Sequence, residues 1–217
     1  MNDGLQARHP NAFLMAGSMF EQGLCVKPEW DRAQGYYRSA VAVGHRAGHY
    51  RIVAGFAERD PAVALWWTQQ GSAPVVPAEC QVPPEVHGDA EAYAAALHAW
   101  PPGRLTACAH VAGVMAAVHG EVEYPGDVVG RGMNGQFQMV FHPAEGRIDW
   151  TVPDFTITYR QFVEPPAVVS ARWAKQFHAD VREYLESVGK RALARFPTPA
   201  GIDPSWQFSS VLRMSVE

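Results

Sequence analysis

Residues 135–150 read GQFQMVFHPAEGRIDW, and in this run apolar side chains recur at every second position. Phe137, Met139 and Phe141 alternate with Gln136, Gln138 and Val140, as a strand with one buried face requires, because successive strand side chains point to opposite sides. Pro143-Ala-Glu-Gly146 supplies a turn with a glycine able to take a positive φ, and Ile148, Trp150 and Val152 then resume the alternation. A β-hairpin is the expectation. Downstream, Phe155, Ile157 and Tyr159 predict a further strand beyond Pro153. The period then lengthens to 3.6, with Trp173, Phe177, Val181, Tyr184, Leu185 and Val188 forming one apolar stripe of a helix. Asp180, Glu183 and Glu186 fall on the opposite, solvated face. Trp206, Phe208, Leu212, Met214 and Val216 share one side of a last strand. Strands, helix, strand gives an α+β fold for this half of the chain.

Upstream, the segment from Asn11 to about Gln70 is rich in alanine and aromatics at helical spacing, with Gly and Pro between the periodic runs, which predicts helical hairpins. Glu29, Ala33 and Tyr36 recur as Asp60, Ala64 and Trp67, an offset of about 31 residues, close to the period of helix-pair solenoids. The Pro-rich run SAPVVPAECQVPP from Ser72 to Pro84 reads as an extended connector and as a domain boundary. Two more helices, Asp89 to Trp100 and Leu105 to Val118, flank Pro101-Pro102-Gly103, which the first of them cannot cross. The division is therefore 1–71, helical repeats; 72–120, connector and two helices; 121–217, the α+β domain, with the hairpin repeats packed on the antiparallel sheet and helix.

Two ordered sets of residues resemble known families. Ala12-Phe-Leu-Met-Ala-Gly17, Phe20, Gly23, Val26, Ala33, Tyr36-Tyr37, Ala40, Gly44 and Ala47 resemble the Sel-one-like repeat, a relative of the tetratricopeptide helix pair. That resemblance covers about one and a half repeats and implies a protein-interaction scaffold, in which small residues let two helices approach and aromatics fill the groove between them. Tyr124-Pro125, Gly135-Gln-Phe137 with Phe141, Pro143, Gly146-Arg-Ile148 and Arg195-Phe-Pro197 look like the C-terminal domain of TonB. What this implies is binding of an extended partner segment at the edge of the sheet. The stretch between hairpin and Arg195 is longer than in typical members, and the membrane anchor and long Pro-rich spacer of that family are missing from this sequence.

Bulk properties narrow the function further. With 47% hydrophobic residues among 217, the chain can fill a core, and a net charge of −4 with no Lys/Arg block argues against a nucleic-acid binder, which needs a basic face. Leu105 to Val118 is too short to cross roughly 30 Å of hydrocarbon, so no membrane span is expected. The opening MNDGLQARHP has no basic region followed by an apolar one, so no signal peptide is read; the compartment is periplasmic if a leader has been removed and otherwise cytoplasmic. Cys25, Cys80 and Cys108 lack metal-ligand spacing. Three buried thiols and an oxidised Cys80–Cys108 pair both fit them.

Chemistry-bearing patterns are sparse. Gly130-Arg-Gly132-Met-Asn-Gly135 satisfies GxGxxG, but a strand pattern rather than a helix follows, so no N-terminal dipole faces a phosphate. His45 and His49 are four apart without the glutamate of HExxH, and Gly44 and Gly48 weaken a helix there. Cys108 with His110 or His119 reads as a packed helix rather than a nucleophile and base. No metal, cofactor or catalytic residue is assigned, and the chain is read as a non-enzyme.

Two surfaces remain. The last strand, from Gln207 to Glu217, can accept an extended partner at a sheet edge, with Gln207, Phe208, Leu212 and Arg213 as the binding residues. The alternative is an edge covered by the N-terminal half or by a second copy in a homodimer. The other surface surrounds Tyr36, Tyr37, Trp66 and Trp67, of which Tyr36 and Trp66 are the contact residues; burial in the core is the competing reading. The expected function is a protein-binding adaptor of the bacterial cell envelope. The alternatives are an immunity or inhibitor protein that neutralises a secreted toxin, and an enzyme of unrecognised kind.

Overall fold

The computed structural model describes residues 2–70, 76–101, 103–122, 135–152 and 171–214, and the chain divides into two compact units, Met1–Gly120 and Glu121–Glu217. Among the described residues there are eight α-helices and a three-stranded antiparallel sheet, an α+β composition.

The first unit holds α1 (Asn2–Gln6), α2 (Pro10–Gln22), α3 (Trp30–Ala42), α4 (Arg46–Ala57), α5 (Pro61–Gln69), α6 (Ala90–His98) and most of α7 (Arg104–Val122). Helices α2 to α5 each pack on the one before. Local chemistry sets their ends. Pro10 and Pro61 sit in the first turns of α2 and α5, where a missing N–H costs nothing, and Gly23 closes α2 at φ 74°. Asp60 caps α5 by accepting from the Val63 amide at 3.1 Å.

The 31-residue recurrence has a structural counterpart. Glu29 and Asp60 are the N-cap residues of α3 and α5, and Ala33 and Ala64 are both fully buried one turn in. Ala16-Gly17 and Ala47-Gly48 repeat at the same offset and are buried in α2 and α4. Both glycines mark close crossings: a Cβ on Gly17 would stand 2.3 Å from the Tyr37 ring, and one on Gly48 would stand 2.6 Å from the Tyr37 carbonyl oxygen. Gly48 is thus a packing residue of α4, and Gly44, at φ 85°, lies ahead of the helix rather than weakening it. Ala33, Tyr37 and Ile52 form the buried centre, surrounded by Leu14, Phe20, Trp30, Val41, Phe56 and Trp67.

The Pro-rich run lies inside this first unit. Cys80, in a short 3-10 turn (Ala78–Cys80), is disulfide-bonded to Cys108 of α7, with Cα atoms 5.3 Å apart, and Arg104 donates twice to the Glu79 carbonyl. Cys25 is exposed, so three buried thiols do not describe the chain. Helix α7 extends four residues beyond the Val118 at which the sequence pattern was read to end; at 19 residues it is long and apolar enough to cross a membrane, but 78% of its apolar window is buried inside the protein. It behaves as a core helix, with Gly120 against the Tyr50 Cβ and the His119 ring 5.3 Å from that of Tyr50.

In the second unit, β1 (Gly135–His142) lies between β2 (Arg147–Thr151) and β3 (Phe208–Met214). Phe141 pairs with Ile148 and Met139 with Trp150 on one side; Phe137 pairs with Leu212, Met139 with Ser210 and Phe141 with Phe208 on the other. Cross-strand partners share a face, so these side chains form one apolar layer. Helix α8 (Ala171–Arg195) covers it, burying Val181, Leu185, Val188 and Ala192, and a Cβ on Gly189 would stand 3.5 Å from the side chains of Ile148 and Trp150. Asp180, Glu183 and Glu186 are exposed, as the stripe predicts. The strand expected at Phe155 to Tyr159, the motif at Gly130–Gly132, Tyr124-Pro125 and the side chains of Trp173 and Phe177 lie outside the described residues.

Candidate interaction surfaces

The sheet has a second face, and it is polar. Gln136 pairs with Arg213, Gln138 with Val211 and Thr151, and Val140 with Ser209 and Asp149. Along β3 the outward row is therefore Ser209, Val211 and Arg213, all exposed. Val211 is 58% exposed, which makes it the large apolar side chain that the second unit presents to solvent among its described residues. The inward row, Phe208, Ser210 and Leu212, contributes to the core, with Leu212 at 0% exposure.

The sequence-selected residues of this strand thus divide. Gln207 and Arg213 are exposed, Phe208 is half-buried with its ring 5.8 Å from that of Trp206, and Leu212 is sealed against Phe137. Val211 was missed. The signal was present, since the alternation that put Phe208 and Leu212 on one face leaves Val211 as an isolated apolar residue on the other.

At the far end of the sheet, His142 contacts Asp149 at 3.0 Å, and Arg147 pairs with Glu145 at 2.9 Å and with Asp149. The Arg147 guanidinium holds the Asp149 carboxyl below the usual carboxylate range. Glu145, Arg147 and Asp149 are exposed and His142 is half-buried, so solvent screens these pairs.

In the helical unit the selected aromatics are structural to differing degrees. Tyr37 is wholly buried, its hydroxyl donating to Glu21 at 2.6 Å, and burial together with that carboxylate pushes the phenol well above its ordinary range. Tyr36 is half-buried and stacks on Phe20 at 5.7 Å, with Arg32 over the other ring. Trp67 receives Arg38 on its face at 5.5 Å and meets Trp66 and His49 edge-on, each at 5.7 Å. Trp66 is half-buried, with an indole N–H that is shielded and unbonded. Met15 and Leu24, at 61% and 50% exposure, are the other large apolar side chains in solvent among the described residues.

Among the described residues no group of three or more His, Cys, Asp or Glu is placed to hold a metal ion. Cys108 is committed to the disulfide and has no thiolate to offer as a nucleophile. His110 is buried in α7, and desolvation lowers its pKa to about 4. His45 caps α4, its Nδ1 accepting from the Ala47 amide at 3.4 Å while Nε2 contacts Asn11 at 3.0 Å.

No family model, curated protein or solved structure matches the chain.

Proposed function

We propose that the chain is a non-enzymatic, protein-binding adaptor of the bacterial cell envelope, and that its second unit takes an extended segment of a partner protein along β3, as the resemblance to the TonB C-terminal domain implies. The observation that carries the reading is the outward row of β3. Among the described residues this strand has one sheet neighbour, β1, and its solvent side offers an apolar centre, Val211, beside a cation, Arg213. Strand addition draws its affinity from main-chain hydrogen bonds and its specificity from alternate side chains, and both are available at such an edge. The Cys80–Cys108 disulfide favours the envelope over the cytoplasm, where the glutathione and thioredoxin systems keep thiols reduced. The half-buried aromatics Tyr36 and Trp66 of the helical unit supply the second proposed contact.

The test is affinity capture from the source cell, with the full chain as bait, against a Val211→Asp, Arg213→Glu variant whose circular dichroism matches the wild type. Leu212 is left unchanged, because its substitution would break the core. One stoichiometric partner lost with the variant supports the reading; an unchanged partner set sinks the β3 assignment, and a secreted toxin as that partner would make the chain an inhibitor.

A further inference from the structure

Two imidazoles stand at the N-terminal end of α4, and each has one ring nitrogen placed for the uncharged form. His45 presents an unprotonated Nδ1 to the Ala47 N–H as the helix cap, while its Nε2 reaches Asn11 of α2. A second proton at Nδ1 would turn that acceptor into a donor facing a donor, and would set a cation on the positive end of the helix dipole. His49, one turn on and buried, bonds the Trp67 backbone of α5 through one ring nitrogen and packs on the Trp67 indole; its Nε2 is unbonded and shut off from solvent. A proton there would bury a charge with no acceptor, which a protein avoids by moving the group into water.

Among the described residues, basic groups face the pair. Arg46 lies between them and donates to the Tyr50 hydroxyl, on which His119 of α7 is packed; Arg38 of α3 covers Trp67; and His9 stands near His45. Burial first, and then His9 for His45 and Arg46 for His49, holds both imidazoles below their ordinary pKa, although the Trp67 carbonyl pulls His49 partly back.

We propose that the first turn of α4 is an acid-sensitive latch: proton uptake by His45 and His49 uncaps α4 and releases it from α5, loosening the aromatic surface around Trp66 and Trp67 while the second unit stays folded. The sign follows from linkage. The unfolded or undocked rings bind protons more readily, so stability is full above the ordinary histidine pKa and falls as pH drops below it. His110 adds its own loss, so the comparison with a variant matters more than the wild-type curve alone.

The full chain is measured by thermal unfolding at pH 7.5 and 5.5, beside His45→Asn, which retains a capping acceptor, combined with His49→Phe, which retains a ring on Trp67. We expect the wild type to lose at least about 5 °C over this range, the shift produced by roughly 1 kcal/mol in a domain of this size, and the variant to lose less than half as much. Hydrogen exchange on the wild type, corrected for intrinsic rates, should show lost protection over residues 44–69 and none over 179–195. Equal pH shifts in both proteins, no acid shift in the wild type, or a loss spread evenly over both units would each overturn the latch.

Discussion

At Gly17 and Gly55 the first helical unit closes to contact distance, and a single methyl group tests that closeness. The added carbon would lie 2.3 Å from a Tyr37 ring atom at the first site and 1.9 Å from the Trp30 indole at the second. Gly17→Ala and Gly55→Ala are each expected to cost about 1–3 kcal/mol through overpacking, despite alanine's better helix propensity, as a fall in the urea midpoint. Tyr37→Phe removes the 2.6 Å bond to Glu21 and should cost about 1–2 kcal/mol by the same measure. His110, lowered to about 4 from 6.5 by burial, takes its proton first in the unfolded chain. Its contribution is therefore full above pH 6.5 and lost as pH falls toward 4, and His110→Leu should flatten that part of a stability profile. At this scale the sequence was only partly legible. The small residues at 12–17 and 44–48 announced close helix approach, but which of them touch Tyr37 depends on how the helices cross, which no one-dimensional pattern records.

Periodicity identified the elements well where one face of an element is buried and the other is wet. The hairpin of β1 and β2, the stripe of α8 and the inward row of β3 all follow from it, because Phe137, Leu185 and Phe208 each have polar neighbours at the right spacing. Helix α7 lacks such contrast. It is buried almost all round, so its C-terminal turn, with His119 and Glu121, was not distinguished from the loop beyond. The Pro-rich run likewise looked like a linker because composition cannot show that Cys80 is fastened to Cys108. That bond closes 28 residues, and replacing both cysteines with alanine should remove about 3–4 kcal/mol of stability by the loop-closure relation, visible as a lower midpoint and faster proteolysis between Val76 and Val86. Asp89→Ala, which deletes the side chain bonded to the Glu91 and Ala92 amides, should cost about 1 kcal/mol through α6 alone.

For the whole molecule the division into two compact units gives the proposed function its form, with a stacked-helix unit and a sheet unit each carrying a surface of its own. The alternation of β3 showed which of its faces is the core, and the same rule read on the opposite face would have selected Val211. Leu212 lies on the buried face, because only alternate side chains of an edge strand reach solvent on one side. The central claim, that a protein partner lies along β3, is tested most directly by placing a photo-crosslinking amino acid at position 211, and separately at exposed Glu183 on α8, in cells that make the full chain. The account predicts a discrete adduct of one protein from position 211 and none from 183; adducts of equal yield from both positions, or none from 211, would contradict it.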